Sequence, residues 1–347
     1  MKVTWLSARE ISHDLCSTSQ LNLANGLTSL GYDVTFYCPG KIIESNFKQI
    51  EIDRSNIRGL QAKSIVKNIK NHLPEINKAD IVLLDWPIAK VAKEIDAPTI
   101  VIDRGPPADS GFLASLQWKY WKLAWKNAHR GTVVSSAHRE FVCSKTGMPS
   151  ASIGIVPAGV DANLFKMGEK SGPVKLVYHG RVDLKRGVLS LPLILAGLQQ
   201  RGVDASLHIH GAGDAFDRLS KIELDGFEIS HSLAQSELAK KLSSYDIGLL
   251  PMPVDKVWNL ASPLKRSEYL ASGLAVCGID HSGHQIDNSG KWLQLFEQEK
   301  FISSTVDWIE SLDRQLLTAY QKEARSFAEE FLSWSHSVEA LEAMISS

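Results

Sequence analysis

The sequence predicts an α/β protein made of two successive parallel-sheet units with a cleft between their lobes. Three observations carry this prediction. The 347 residues exceed the roughly 250–300 at which a single core usually divides. A strand–helix–strand order opens the chain within forty residues, as a parallel sheet begins. The same alternation restarts after Pro173, and a crevice between two such units is a favoured place for a ligand.

In the first unit, an apolar strand over 2–7 leads to a helix over 19–30 that stops at Gly31. A second strand over 33–37 runs into Pro39-Gly40. Strands over 80–85, 99–103 and 131–135 each end in a polar residue where a loop begins, and such carboxyl ends line the ligand crevice of an open parallel sheet. The second unit reads as strand 174–179, helix 189–199, strand 205–210, helix 236–243 and strand 247–250. Helix 264–272, closed by Gly273, and strand 275–278 follow. The boundary is expected between Pro157 and Pro173, and the longest helical stretch, about 316–345, lies near the end.

Composition narrows the function. With 44 % hydrophobic and 22 % charged residues, the chain is globular rather than disordered or fibrous. Lys and Arg number 38 against 39 Asp and Glu, so no global positive field exists to hold nucleic acid. Residues 1–165 carry a net +4 and the remainder −5, which fits two lobes with different partners. Cys16, Cys38, Cys143 and Cys277 form no CxxC pair and read as buried thiols of a reducing compartment. Neither a secretory leader nor a run of ~18 apolar residues is seen. A cytoplasmic protein is expected.

The chemistry concentrates in three places. In His179-Gly180-Arg181-Val182-Asp183-Leu184-Lys185-Arg186-Gly187, Arg181 and either Lys185 or Arg186 follow a strand and precede a helix. Two cations there can hold a diphosphate; a solvated basic turn has the same spacing. In Ser262-Pro263-Leu264-Lys265-Arg266-Ser267-Glu268, Ser262 suits an N-cap and Pro263 the first helical position. The amides at that start can receive phosphate oxygens, and Glu268 can accept both hydroxyls of a ribose. A capped surface helix fits equally.

The third place is 116–130. At about 100° per residue, Trp118, Trp121 and Trp125 form one stripe, and Leu113, Leu116, Tyr120 and Leu123 the opposite one. Lys119, Lys122, Lys126 and Arg130 lie between. Indoles beside ammonium groups suit the headgroup layer of an anionic membrane. Burial against a neighbouring element, or an aromatic shelf for a sugar acceptor, are the other readings.

The remaining motifs are weaker. His210-Gly211-Ala212-Gly213-Asp214 lacks the third glycine of a dinucleotide fingerprint and reads as a tight turn admitting close backbone approach. His208 and His210 share a strand face without a third ligand nearby. They and His281 and His284 are given structural roles, and no metal site is expected. The chain has no G-x-S-x-G elbow, H-E-x-x-H or Walker A motif.

An ordered set of blocks resembles a known family. Pro157-Ala158-Gly159-Val160-Asp161-Ala162-Asn163-Leu164-Phe165 is similar to the seam motif of retaining, family 4-like nucleotide-sugar glycosyltransferases, with Ala158 in place of asparagine. The 23–35 segment resembles that family's first helix and second strand, and Ser135-Ser136-Ala137 the serine before the segment leading to the seam. Glu268-Tyr269-Leu270-Ala271-Ser272-Gly273-Leu274-Ala275-Val276 resembles its glutamate-tyrosine block, with Ala275 at the usual proline. Phe331-Leu332-Ser333-Trp334 resembles the tryptophan motif before the closing helix.

The resemblance implies a GT-B fold of two Rossmann-like domains facing a central cleft. It places an acceptor-side domain at 1–165, a nucleotide-sugar-binding domain at 166–330, and a closing helix at 331–347 that returns to the first. It implies a retaining hexosyltransferase that moves sugar from a UDP- or GDP-sugar to a glycan or lipid-linked acceptor. No tightly bound cofactor is implied. Arg181 and Arg186, with Lys185 one place early, would hold the diphosphate, Ala261 and Ser262 would offer amides, Lys265 a phosphate contact, and Glu268 the ribose contact.

Three departures stand out. Leu260 occupies the first position of the family's E-x7-E pair. Leu15-Cys16 replaces a glycine pair, shifting the acceptor-side loop towards Ser17-Thr18-Ser19. Asp103-Arg104 stands where many members carry a sugar-contacting histidine, so Asp103 is expected at the donor sugar and Arg104 beside a carboxylate or phosphate. The alternatives are a degenerate, non-catalytic nucleotide-sugar or glycan binder, and a hydrolase, which would need a second opposed carboxylate.

Overall fold

The computed structural model describes residues 1–11, 17–57, 59–107 and 112–347, with backbone alone for 112–114. The chain forms two units. The first comprises Met1–Ala158 and Trp334–Ser347, and the second Gly159–Ser333. The chain therefore crosses within the seam motif, earlier than the expected 165/166, and crosses back just before Trp334.

The first unit is built on seven parallel strands: β1 (Lys2–Leu6), β2 (Asp33–Cys38), β3 (Lys48–Glu51), β4 (Ile81–Asp85), β5 (Thr99–Ile102), β6 (Arg130–Val133) and β7 (Ile153–Ile155). Their order is β3-β2-β1-β4-β5-β6-β7. The central strands are apolar on both faces because helices cover both. On one face, Leu23, Ala24 and Leu27 of the helix Ser17–Ser29 share a core with Trp5, Phe36, Val338, Leu341 and Ile345. Gly26 lets the closing helix lie against this one, since a Cβ there would overlap Val338. On the other face, Ile65, Ile69, Ile88 and Val91 pack against Leu6 and Leu84.

The second unit has six parallel strands: β8 (Val174–Arg181), β9 (Ala205–Ala212), β10 (Phe227–Ser230), β11 (Ile247–Leu250), β12 (Ala275–Ile279) and β13 (Leu293–Phe296). Their order is β10-β9-β8-β11-β12-β13. The stretch expected as one helix over 316–345 is two, Arg314–Phe331 and Trp334–Ser346. They separate at Leu332-Ser333, where the Val160 amide donates to the Leu332 carbonyl at 2.8 Å and Val160 bridges Ser333 in parallel. Of the cysteines, Cys38 and Cys277 are buried and Cys143 is half-buried; Cys16 lies outside the described residues.

Candidate functional site

The cations of the second unit gather where β8 ends. Gly180 has φ 112°, and a Cβ there would stand 3.3 Å from Lys265 Nζ, so glycine keeps that approach open. Beyond it, the Asp183 carboxylate accepts from Arg181 through Nε (3.2 Å) and Nη2 (2.9 Å). The same carboxylate lies 3.5 Å from Arg186 Nε. One acid thus holds two guanidinium groups. Burial pushes the Asp183 carboxyl up, but the bonds and charge of Arg181, with Arg186, outweigh this and hold it below the usual range.

Arg186 is enclosed by more than its ion pair. Its guanidinium lies over the Trp258 ring, 4.5 Å from the centroid, and Nη1 points at Met252 Sδ, 3.6 Å away. Gly187 (φ 72°) lets this turn seat directly on the Pro251 carbonyl. Arg181 differs, since its side chain is 55 % exposed and reaches solvent. Lys185, on the same turn, is exposed and forms no ion pair among the described residues; Arg186, not Lys185, is the cation brought to Lys265.

The helix Leu264–Ala271 supplies the opposite side. Its N-cap is Pro263 (φ −74°, ψ 122°) rather than Ser262. The Ala261 amide donates to the Trp258 carbonyl at 3.1 Å and is committed to the preceding turn, which corrects the expectation that it faces a ligand. The amides at the start of this helix belong to Leu264 and Lys265, which precede the first helical bond.

Lys265 is 9 % exposed. Its Nζ has no hydrogen-bond partner among the described residues and stands 4.1 Å from the Tyr178 ring centroid. Burial pulls its pKa down to about 7, Arg186 adds to the fall, and Glu268 opposes it. A buried ammonium without a hydrogen-bonded partner is costly and calls for an anion.

Glu268 is also buried, with Oε2 3.1 Å from His179 Nε2. The backbone amide of His179 donates to the Tyr269 hydroxyl at 3.1 Å, fastening the helix to β8. His179, Asp183 and Trp258 are parts of this cluster to which sequence reasoning assigns no role. The available signal is position, since His179 directly precedes Gly180 at the strand end. Leu260 is buried, and the neighbouring Asn259 Oδ1 is buried without a hydrogen-bond partner among the described residues.

The other motifs resolve into structural work. Gly211 and Gly213 lie so close to the backbone of Gly180 and Val182 that a Cβ would overlap it. His210 bonds to both Ser230 Oγ and Tyr245 Oη at 2.7 Å, and His208 to Glu228 at 3.2 Å. His281 and His284 are buried ring against ring, 3.8 Å apart, and burial lowers the pKa of each. Among the described residues, no group of three His, Cys, Asp or Glu is placed to hold a metal.

In the first unit, two expectations are corrected. Asp103 is 1 % exposed. Its carboxylate accepts the indole N–H of Trp121 (2.6 Å) and Trp125 (3.0 Å) and the Gly105 amide (3.0 Å), so it does not face a sugar. Burial raises its pKa, but His138 and the two indoles overcome this and hold it below the usual carboxylate range. Correspondingly, Trp121 and Trp125 are buried and Trp118 is half-buried, edge-on to Trp121 at 5.4 Å. The tryptophan stripe is not a membrane anchor. Buried indoles need an acceptor, and Asp103 at the end of β5 provides it.

Arg104 donates to the Val156 carbonyl (2.6 Å) and to Ser19 Oγ (3.2 Å), tying β5 to its neighbours. Ser17 opens the helix Ser17–Ser29 and is half-buried; Leu15-Cys16 and the side chain of Leu113 lie outside the described residues. A polar cluster absent from the sequence reading sits nearby. Asp85 accepts from Ser7 Oγ (3.1 Å), the Ala8 amide (3.1 Å) and Gln20 Nε2 (2.9 Å), while burial pushes its pKa up.

Comparison with known proteins places these features. Residues 17–164, most of the first unit, match the family described as Glycosyltransferase Family 4. No curated protein matches the chain. Sucrose-phosphate synthase from Thermosynechococcus elongatus superposes with a TM-score of 0.82 at 13 % identity, covering 99 % of this chain and 98 % of that one. HepE of Anabaena, in complex with UDP and glucose, gives 0.76 at 12 % identity over 100 % of both chains. WaaG, a glycosyltransferase involved in lipopolysaccharide biosynthesis, gives 0.70 at 14 % identity over 100 % of both. At such identities the likeness is one of fold, the GT-B arrangement of two Rossmann-like parallel sheets.

Proposed function

We propose that this chain of the GT-B fold is a glycosyltransferase, as the family match over its first unit suggests, and that it transfers a sugar from a UDP- or GDP-sugar to a hydroxyl of a glycan or lipid-linked acceptor, with retention of configuration. The observation that carries the donor reading is the buried ammonium of Lys265, without a hydrogen-bond partner among the described residues and under the charge of Arg186 as well as Glu268. A diphosphate supplies the missing partner. Arg181 and Arg186 grip its oxygens, Lys265 and the amides of Leu264 and Lys265 take others, and Ser262 completes the contacts. Glu268, steadied by His179, accepts the ribose hydroxyls. The HepE structure with UDP and glucose supports a nucleotide-sugar as the donor class.

The chemistry needs charge stabilised on the departing diphosphate. Fixed cations and helix-start amides do this without reorganising as the bond breaks. The leaving phosphate receives the acceptor proton on the same face, so no protein nucleophile is required. The donor is a co-substrate, and no tightly bound cofactor enters the scheme.

A panel of nucleotide-sugars is screened for protection against thermal unfolding, because a ligand of the folded state raises stability. The protecting donor is then tested for acceptor-dependent nucleotide release, and product NMR reads the anomeric configuration. Release with retention upholds the reading. Leu260, apolar where a carboxylate would hold the donor sugar, favours a second reading as a binder without transfer. Donor protection with no release across acceptor hydroxyls would select it.

A further inference from the structure

We propose that one face of the first unit docks on an anionic lipid bilayer, through lysines rather than tryptophans. The face spans three adjoining helical segments, Gln61–Ile69, Trp86–Glu94 and Phe112–Asn127, with the middle one packed against both others. Lys63 and Lys67 project from the first, Lys90 and Lys93 from the second, and Lys119, Lys122 and Lys126 from the third. All are exposed. The three segments contain one carboxylate, Glu94, and it is paired with Lys70 just beyond the first. None of the seven lysines forms an ion pair among the described residues, and Lys90 lies 4.5 Å over the Tyr120 ring.

This concentration is unusual in a chain with a formal charge of −1. Lys122 and Lys126, and likewise Lys63 and Lys67, repeat at four residues, where like charges repel along a helix. The opposite sides of these helices are already filled, by Trp121, Trp125, Ile65 and Val66, so the charge must be met from outside. Exposed aliphatic side chains accompany it: Leu116 on the third segment, and Leu60 and Ile57 just ahead of the first, are 40 %, 44 % and 64 % exposed. A bilayer satisfies both features, with lipid phosphates taking the ammonium groups and the aliphatic chains entering the headgroup–acyl boundary. Single-stranded nucleic acid would instead want exposed rings to stack on, and here Trp118 and Tyr120 are half-buried.

The surface includes no residue of the proposed donor site, so this inference and the donor reading can fail separately. The full-length protein is sedimented with phosphatidylcholine vesicles lacking or containing phosphatidylglycerol, at low and high salt. Binding should require phosphatidylglycerol and weaken with salt. Each lysine near the surface accounts for about fivefold in partitioning. The triple variant Lys119→Gln, Lys122→Gln, Lys126→Gln should therefore bind about a hundredfold more weakly, while its thermal protection by UDP stays unchanged. Lys240→Gln with Lys241→Gln, on an exposed helix of the second unit, should partition like the parent. Glutamine keeps a good helix propensity, and circular dichroism confirms folding. Equal binding to neutral vesicles, no binding at all, unchanged partitioning of the triple variant, or tighter binding to RNA than to vesicles would each overturn the proposal.

Discussion

Replacing Lys265 with methionine separates what the buried charge does for binding from what it does to stability. The fall in its pKa from 10.5 to about 7 corresponds to about 5 kcal/mol against holding the ammonium inside the fold. Below about pH 7 both folded and unfolded chains carry the proton, and the full penalty applies. Between 7 and 10.5 the unfolded chain alone binds it, so stability rises with pH across that window. Above it, both forms are neutral and the penalty is gone. Methionine fills a similar volume without the charge but loses the contact with the Tyr178 ring, so the variant should gain about 3 kcal/mol at pH 7. That gain should shrink towards nothing near pH 10. Urea unfolding of the ligand-free protein at several pH values reads it directly. The same substitution should weaken UDP binding by about tenfold or more. Titrating UDP into the parent near pH 8 in buffers of different ionisation enthalpy should reveal proton uptake, because a bound diphosphate restores the charge on Lys265. A variant less stable than the parent at pH 7, or a difference indifferent to pH, would refute the reasoning.

Three further outcomes follow from the same contacts. Arg181→Ala should weaken UDP by about 2 kcal/mol, about thirtyfold, but leave uridine binding nearly untouched; calorimetry with both ligands distinguishes them, and equal losses would remove its phosphate role. Asp183→Asn should loosen Arg181 and Arg186 together, raising the donor KM severalfold and making the further effect of Arg181→Ala small in a double-mutant cycle; additive effects would mean the two do not work as a unit. Asp103→Asn should cost about 2–3 kcal/mol in urea unfolding, because an amide cannot accept from every donor now facing the carboxylate. Since the Asp103 carboxyl is held low, its contribution is full above about pH 4 and is lost as pH falls through the folded value. A parent whose acid unfolding matches that of Asp103→Asn would contradict this assignment.

The elements that the sequence hides are the four sheet edges. β3, β7, β10 and β13 are the outermost strands, and none is apparent in the residue pattern. An edge strand is short and partly solvated, so Lys48-Gln49-Ile50-Glu51 or Phe227-Glu228-Ile229-Ser230 carries little of the continuous apolar signal that marks interior strands such as Ile81–Asp85. In the second unit, the grouping of Arg181, Arg186, Lys265 and Glu268 is legible because each lies a few residues beyond a buried strand or inside one short helix. The identity of the group that holds each of them is not. That Asp183 gathers two arginines, or that Lys265 Nζ lies over the Tyr178 ring without a hydrogen-bond partner among the described residues, depends on side-chain directions. The tryptophan helix shows the opposite limit: its periodicity yields two apolar stripes of equal merit, and only an acceptor at the end of β5 decides which turns inward.

The second unit is an insertion within the first, with Val160 and Ser333 bridged side by side at its two ends. During synthesis, residues 159–333 are complete and can fold while the earlier half is still missing Val338, Leu341 and Ile345, which close its core. The portion translated first is thus finished last. Truncation just after Ser333 would leave the later-made unit intact and strip the earlier one of its cover, exposing Leu23 and Leu27 to proteases and chaperones.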